Sequence, residues 1–302
     1  MKIIKFKTKD DSNQLAAVKE DGSIYPLPYE DFLHIIEEAE KHAETCLSIV
    51  KKAIEDAKPI QQKPADLQLM LPLDAYEVWA SGVTYLKSKN ARNYEAYEGK
   101  EEVSDSYYDK VYDAERPEIF LKSTGRRTIG PDKPVYLRND SDWQIPEPEL
   151  GLVLNKHGRV VGYTVGNDMS SRDIEGENPL YLPQAKIWKH SCSFGPAIRL
   201  AETVENPYDL TITCKISRGG EKIFEESAST SQLKRKYEEL VEYLKRDNEL
   251  FDGTVLFTGT CIIPANDFTL ADGDLIEITI PEVGTLSNPV EKLVIQDKTA
   301  IL

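Results

Sequence analysis

The chain has 302 residues, 40% of them hydrophobic, enough to bury a sizeable core in one large domain or in a large domain with a small companion. Its net charge of −15 argues against nucleic acid or an anionic membrane surface as partner, since both require a basic footprint, and an anionic substrate would need a local positive centre. No apolar run approaches the ~20 residues of a membrane span, the start MKIIKFKTKDDSNQ lacks the apolar core of a signal peptide, and Cys46, Cys192, Cys214 and Cys261 form no C-x-x-C pair; a cytoplasmic protein with reduced, mostly buried thiols is expected, without disulfides or zinc.

In chain order, Lys2–Lys7 alternates as a strand, Glu20-Asp21-Gly22 is a turn, and residues 23–27 form a short strand before a helix that starts near Tyr29. Phe32, Ile36, Ala39, Ala43, Cys46, Leu47, Val50 and Ile54 make one apolar stripe at helical spacing, which predicts a single long structural helix. His34 falls opposite that stripe and His42 at its flank, so both are expected in solvent. Residues 57–66 are polar, carry two prolines and show no periodicity; a domain boundary is placed after them, giving a small N-terminal α/β domain over 1–70 and a main domain over 71–302. The run Glu77-Val78-Trp79-Ala80-Ser81-Gly82 reads as a strand that ends in a glycine turn. Residues 86–115 are polar and helical, with Tyr94, Tyr97, Tyr107, Tyr108 and Tyr112, and fit either a lid that closes over something or an ordinary helical insertion.

Glu118 stands between Pro117 and the apolar Ile119-Phe120-Leu121. Either it faces inward, where loss of solvent would raise its pKa and suit it to proton transfer, or it is a strand-edge surface residue. Residues 130–143 are loop and turn chemistry that lead into Glu147-Pro148-Glu149. In an extended strand the two glutamates leave the same face, and Asp168 ends the next β-rich run, 160–165, from which an antiparallel partner would return it to the same place. Such alternation also suits a solvated strand face. If the face is buried, the carboxylates repel unless a cation sits between them, and hard cations such as Mg²⁺ prefer these oxygen donors. Lys186 follows in an otherwise uncharged setting, and His157 lies in a hairpin turn. Further on, strands at 210–216 and 222–226 flank an Arg218-Gly219-Gly220 turn, Thr230-Ser231 caps a helix with Leu233, Tyr237, Leu240, Val241 and Leu244 on one face, and a strand ends in the small-residue turn Thr258-Gly259-Thr260. No phosphate loop and no internal repeat occurs, so nucleotide cofactors are not implied. Periodicity supports a β-rich α+β chain.

The order E-x-E, G-Y-T-x-x-N-D-x-S-x-R-D, L-P-x-x-K and F-G-P, together with E-V-W-x-S-G, YDAERPEIF, PEPEL, ENPLYLPQ and TGTCIIP, resembles the signature of the fumarylacetoacetate hydrolase superfamily over residues 76–302, and within it the branch that dehydrates 2-keto-3-deoxy sugar acids. The resemblance implies a mixed β-roll catalytic domain with a small N-terminal α/β domain, assembled as a homodimer or homotetramer. It implies Mg²⁺, with Ca²⁺ or Mn²⁺ as alternatives, on Glu147, Glu149 and Asp168; Glu118 and Lys186 as the acid–base pair; and substrate contacts at Ser81, Thr84, Lys122 and Thr260. The ligand it implies is a small anionic 2-keto acid. Hydrolases of the superfamily carry N-Y-x-x-H-x-x-E, but here Ser88 stands where that histidine would be. Without the imidazole there is no evident base to activate water, which turns the expectation from hydrolysis of a carbon–carbon bond to loss of water. An acylpyruvate hydrolase, an oxaloacetate decarboxylase, a dienoate isomerase or a non-catalytic metal-stabilised binding protein remain as alternatives.

Overall fold

Strand Pro148–Leu154 is buried at all seven positions, so both faces of its sheet must be covered. Leu150, Leu152 and Leu154 fall in one apolar cluster and Val153 in another. The computed structural model, which describes residues 1–97 and 107–294, shows what covers them. An 11-stranded sheet runs in the order Ile24–Pro26, Asn13–Val18, Lys2–Lys7, Cys192–Leu200, Val160–Asp168, Pro148–Leu154, Thr254–Phe257, Glu77–Gly82 and Glu118–Thr124, with two short strands beside this path. Thr254–Phe257 pairs with Glu77–Gly82 in parallel; the other neighbours along the path are antiparallel. On one face the first cluster joins Ile212, Cys214, Ile276, Ile278 and Val290 of a five-stranded sheet. On the other, Phe32, Ile35, Ile36, Ile49 and Val50 of two helices complete the second cluster.

The predicted long helix is two, Phe32–Lys41 and Cys46–Ala53. Ala43 adopts φ 53°, which ends the first, and Thr45 Oγ1 accepts from Ser48 N to cap the second. The apolar spacing runs through this break because both helices lie on the same sheet face. His34 and His42 are exposed. The predicted helix after Thr230 starts later: Thr230–Gln232 is a single 3₁₀ turn and the α-helix is Tyr237–Lys245, with Glu239 reaching back to the Lys236 amide. Leu233, placed on its face by periodicity, is buried ahead of it. Strand Asn13–Val18, which the turn-based reading passed over, pairs with Lys2–Lys7, and Lys2–Lys7 pairs in turn with Cys192–Leu200. The N-terminal strands therefore share a sheet with the strands that carry Glu149 and Asp168.

Of the Tyr-rich segment, helices Leu86–Tyr97 and Tyr107–Asp113 are seen, and the first packs on helix Arg172–Glu177. Residues 98–106 and the side chains of Tyr97, Tyr107 and Tyr108 lie outside the described residues. No helix among the described residues is long and apolar enough to cross a membrane.

Candidate active site

The register of one strand pair builds the centre. Pro148 lies opposite Asn167 and Glu149 opposite Gly166, while the Asp168 amide donates to Glu147 O at 3.0 Å. This sets Glu147 beside Asp168, with Glu149 two residues along on the same face. Carboxylate oxygens of all three lie within 4.8 Å of one another, and all three side chains are buried. Glu149 is tied down by the Gly259 amide, 2.5 Å from its Oε2. Gly259 has φ +96°, and a Cβ there would lie 1.9 Å from Thr84 Oγ1, so only glycine can present that amide.

Four cations and two further carboxylates surround this triad. Lys186, at the end of helix Leu182–Lys186, places Nζ 2.7 Å from Glu147 Oε2 and 3.2 Å from Asp168 Oδ2. Lys122, on strand Glu118–Thr124, lies 2.6 Å from Asp168 Oδ1, and Arg172 Nη2 3.2 Å from Glu147 Oε1. Arg92, from helix Leu86–Tyr97, lies 2.6 Å from Glu175 Oε1, and Lys186 Nζ lies 3.8 Å from the same oxygen. Burial, then the neighbouring charges of Asp168 and Glu147, holds Glu149 well above the usual carboxylate range. Glu147 is raised mainly by burial, against the pull of Lys186. For Asp168 burial acts upward, but Lys122 and Lys186 outweigh it and hold its carboxyl low. Burial alone would lower Lys186, yet the carboxylates of Asp168, Glu147 and Glu175 outweigh that too, and its ammonium is held above the ordinary lysine value. Apolar surroundings are not what this lysine meets.

Glu118 is mostly buried, with 18% of its side chain exposed, and burial is the main reason its carboxyl is raised. Its Oε2 has no hydrogen-bond partner among the described residues. Opposite it in the register is Gly82, where a Cβ would lie 2.1 Å from Oε2. Of the residues expected at the substrate, Lys122 is fully buried, with Nζ also donating to Met169 O and Lys186 O. The Thr84 hydroxyl donates to Thr258 O and the Thr260 hydroxyl to Ile262 O, while the buried Ser81 hydroxyl has no partner among the described residues. Ser88 Oγ donates to Tyr85 O at 2.7 Å and accepts from Tyr85 N, a local cap at the start of its helix.

Sequence reading missed Arg92, Arg172 and Glu175. The i, i+3 spacing of Arg172 and Glu175 on one short helix was a usable signal; Arg92, on an evenly polar helix, gave none.

Among the described residues, the carboxyl groups of Glu118, Glu147, Glu149, Asp168 and Glu175 share this cluster with the cationic side chains of Lys122, Lys186, Arg92 and Arg172. The triad contributes oxygen donors only, and burial, then the charges of Asp168 and Glu147, holds Glu149 high. Those are the properties that suit a hard divalent cation such as Mg²⁺.

Residues 89–291 match the family model described as fumarylacetoacetate (FAA) hydrolase C-terminal. The chain is 47% identical over 227 residues, 75% of its length and 76% of the relative's, to a 2-dehydro-3-deoxy-D-arabinonate dehydratase of Saccharolobus solfataricus. It is 48% identical over 236 residues, 78% of its length and 79% of the relative's, to a protein of Haloferax volcanii named "Probable 2-keto-3-deoxyxylonate dehydratase". The solved structure of 2-keto-3-deoxy-D-arabinonate dehydratase complexed with magnesium and 2,5-dioxopentanoate superposes with a TM-score of 0.82 at 38% identity, over 97% of this chain and 99% of that one. The fold, the ordered motifs and these likenesses agree: the chain belongs to the fumarylacetoacetate hydrolase family.

Proposed function

We propose that the chain is a Mg²⁺-dependent hydro-lyase that removes water from a 2-keto-3-deoxy sugar acid, converting 2-keto-3-deoxy-arabinonate to 2,5-dioxopentanoate. The observation that carries this reading is one buried cluster holding together an all-oxygen cation site, a lysine and a carboxyl raised by burial. The relatives' names supply the substrate. In the D series, arabinonate and xylonate differ only at C2 and C3, which are not stereocentres in the 2-keto-3-deoxy acid, so both names lead to one compound.

Glu147, Glu149 and Asp168 would hold Mg²⁺, which when bound supplies Lewis-acid polarisation of the 2-keto acid and so acidifies its C3 protons. Lys186, in contact with two of these carboxylates, takes a C3 proton. Its ammonium is held above the ordinary lysine value by Asp168, Glu147 and Glu175, and a cation held by the first two would weaken that hold and favour its role as base. Glu118, whose carboxyl burial raises, donates its proton to the C4 hydroxyl. One proton removed at C3 and one delivered at the C4 oxygen balance the loss of one water, and tautomerisation gives the dioxo acid. Lys122 acts through Asp168, which it holds in place. Ser88 supports loss of water over attack by water, because its hydroxyl is engaged in the helix cap. We place the enzyme in the cytoplasm as a homodimer or homotetramer, readings supported by four buried free thiols and by the exposed apolar side chains of Leu180, Tyr181 and Leu86.

The test is an assay of purified protein with 2-keto-3-deoxy-arabinonate and Mg²⁺ that follows 2,5-dioxopentanoate, with an acylpyruvate in parallel. Dioxopentanoate formed with Mg²⁺ and lost with chelator is expected. Pyruvate released from the acylpyruvate instead would overturn the reading.

A further inference from the structure

Arg92 and Glu175 are both nearly solvent-free, 5% and 1% exposed, and they come from two helices that pack on each other, Leu86–Tyr97 and Arg172–Glu177. A buried ion pair is weak evidence of stability, since loss of hydration offsets most of the attraction, and its value here has to be sought in what it holds. Its neighbours supply the answer. On one side Arg92 Nη2 lies 3.9 Å from Glu118 Oε1, and on the other Glu175 Oε1 lies 3.8 Å from Lys186 Nζ. Glu175 Oε2 is fixed from behind by Ser170 Oγ at 3.4 Å. Glu118 cannot retreat from Arg92 in the direction of the sheet, because its carboxyl already fills the space that only Gly82 leaves open. The four side chains thus form one row, Glu118, Arg92, Glu175, Lys186, with the two proton-transfer groups at its ends.

We propose that the Arg92–Glu175 pair is a positioning element that sets the separation and orientation of Glu118 and Lys186 without itself touching metal or substrate. Neither end of the row can shift without moving a charged neighbour, so a substrate that fits the metal site finds acid and base already spaced for adjacent carbons. This inference rests on the dehydratase reading above. Groups that act through another typically change rates 10–100-fold when altered, as outer-shell partners of metal ligands do.

The experiment uses the full chain loaded with Mg²⁺ and measures two rates with 2-keto-3-deoxy-arabinonate in D₂O: exchange of the C3 protons by NMR, and formation of 2,5-dioxopentanoate. Glu175→Gln, nearly isosteric, is expected to lower kcat about 10–100-fold, with KM and the Mg²⁺ half-saturation within about threefold of the parent. Arg92→Ala, which touches the Glu118 end, is expected to lower dehydration at least about tenfold more than C3 exchange, and Arg92→Lys to recover part of that loss. Equal losses in both rates for Arg92→Ala, or a Glu175→Gln enzyme that keeps its kcat or loses only KM, would overturn the positioning role. A parent enzyme that forms no dioxopentanoate would overturn the dehydratase reading, and this inference with it, and is told apart by the parent's own rate.

Discussion

Two buried groups of charges sit on the same large sheet and are built in opposite ways. On strand Lys2–Lys7, Lys5 Nζ meets Asp31 Oδ2 at 2.9 Å and Asp74 Oδ2 at 3.1 Å. Asp31 in turn caps helix Phe32–Lys41 through Leu33 N, and its other oxygen accepts from Asp74 N. Asp74 is 71% exposed, so the buried account is one cation to one carboxylate, with every contact used to join strand, helix and loop. At the other group, five carboxyl groups meet four cationic side chains, and Glu118 Oε2 is buried without a hydrogen-bond partner among the described residues. A closed group holds a fold together. An open one, with a buried carboxyl oxygen that lacks a donor among the described residues, is a place where a cation and an anionic substrate complete what the chain leaves incomplete.

If that contrast is real, the open group should fail in function and the closed group in stability. The largest effect expected is from Asp168→Ala, which removes a triad donor and the partner of Lys122 and Lys186: turnover should fall to background and calorimetric Mg²⁺ binding should disappear, while circular dichroism stays native. Glu118→Gln should lower kcat about 10²–10⁴-fold, the range for loss of a general acid, with Mg²⁺ binding retained. The pH profile sharpens this. Burial raises the Glu118 carboxyl, so its protonated, donating form persists to higher pH than an ordinary glutamate's, and the rate should fall as pH climbs through that raised value; Glu118→Gln should abolish that limb. Asp31→Ala should leave kcat within about twofold yet cost about 3–5 kcal/mol in chemical denaturation, because it strands Lys5 in the interior and removes a helix cap. Least of all, Asp74→Ala, at the exposed end of the same group, should cost no more than about 1 kcal/mol. A large stability loss from Asp168→Ala with activity spared, or the converse for Asp31→Ala, would break the comparison.

How much of this was legible in the chain depends on how local the information was. Glu147 and Glu149 declare a shared face by their spacing, and the hairpin that returns Asp168 is marked by its turn, but spacing alone suits a solvated face as well, and the ordered motifs were what pointed to a metal set. Glu118 and Lys186 were legible through ordered motifs, since nothing in the composition around Glu118 separates an inward carboxyl from a surface one. Arg92 and Glu175 are 83 residues apart, and only helix packing brings them together. The break between the two N-terminal helices was hidden because Ala43 takes a left-handed conformation with neither Gly nor Pro to announce it; the capping threonine at 45 was the overlooked sign. For Lys122, expected at the substrate from the resemblance, the neighbours could not be read from the chain: its buried Nζ meets Asp168, Met169 O and Lys186 O, which only the fold brings together.

The pairing of Lys2–Lys7 with Cys192–Leu200 has a consequence in time as well as in space. At about 5–20 residues per second of synthesis, the first strand waits roughly 10–40 s before its partner some 190 residues later leaves the ribosome. Through that interval only the edge at Lys2–Ile4 is left bare, the kind of segment that recruits other chains, because Gln68–Met70 pairs with Lys5–Lys7 much earlier in synthesis. Lys2 places a charge on that open stretch, which disfavours a second copy laid alongside. Lys5 later becomes the cation of the closed group. The chain thus covers the Lys5 half of this edge within its first 70 residues and leaves the Lys2 half to wait for a strand near residue 200.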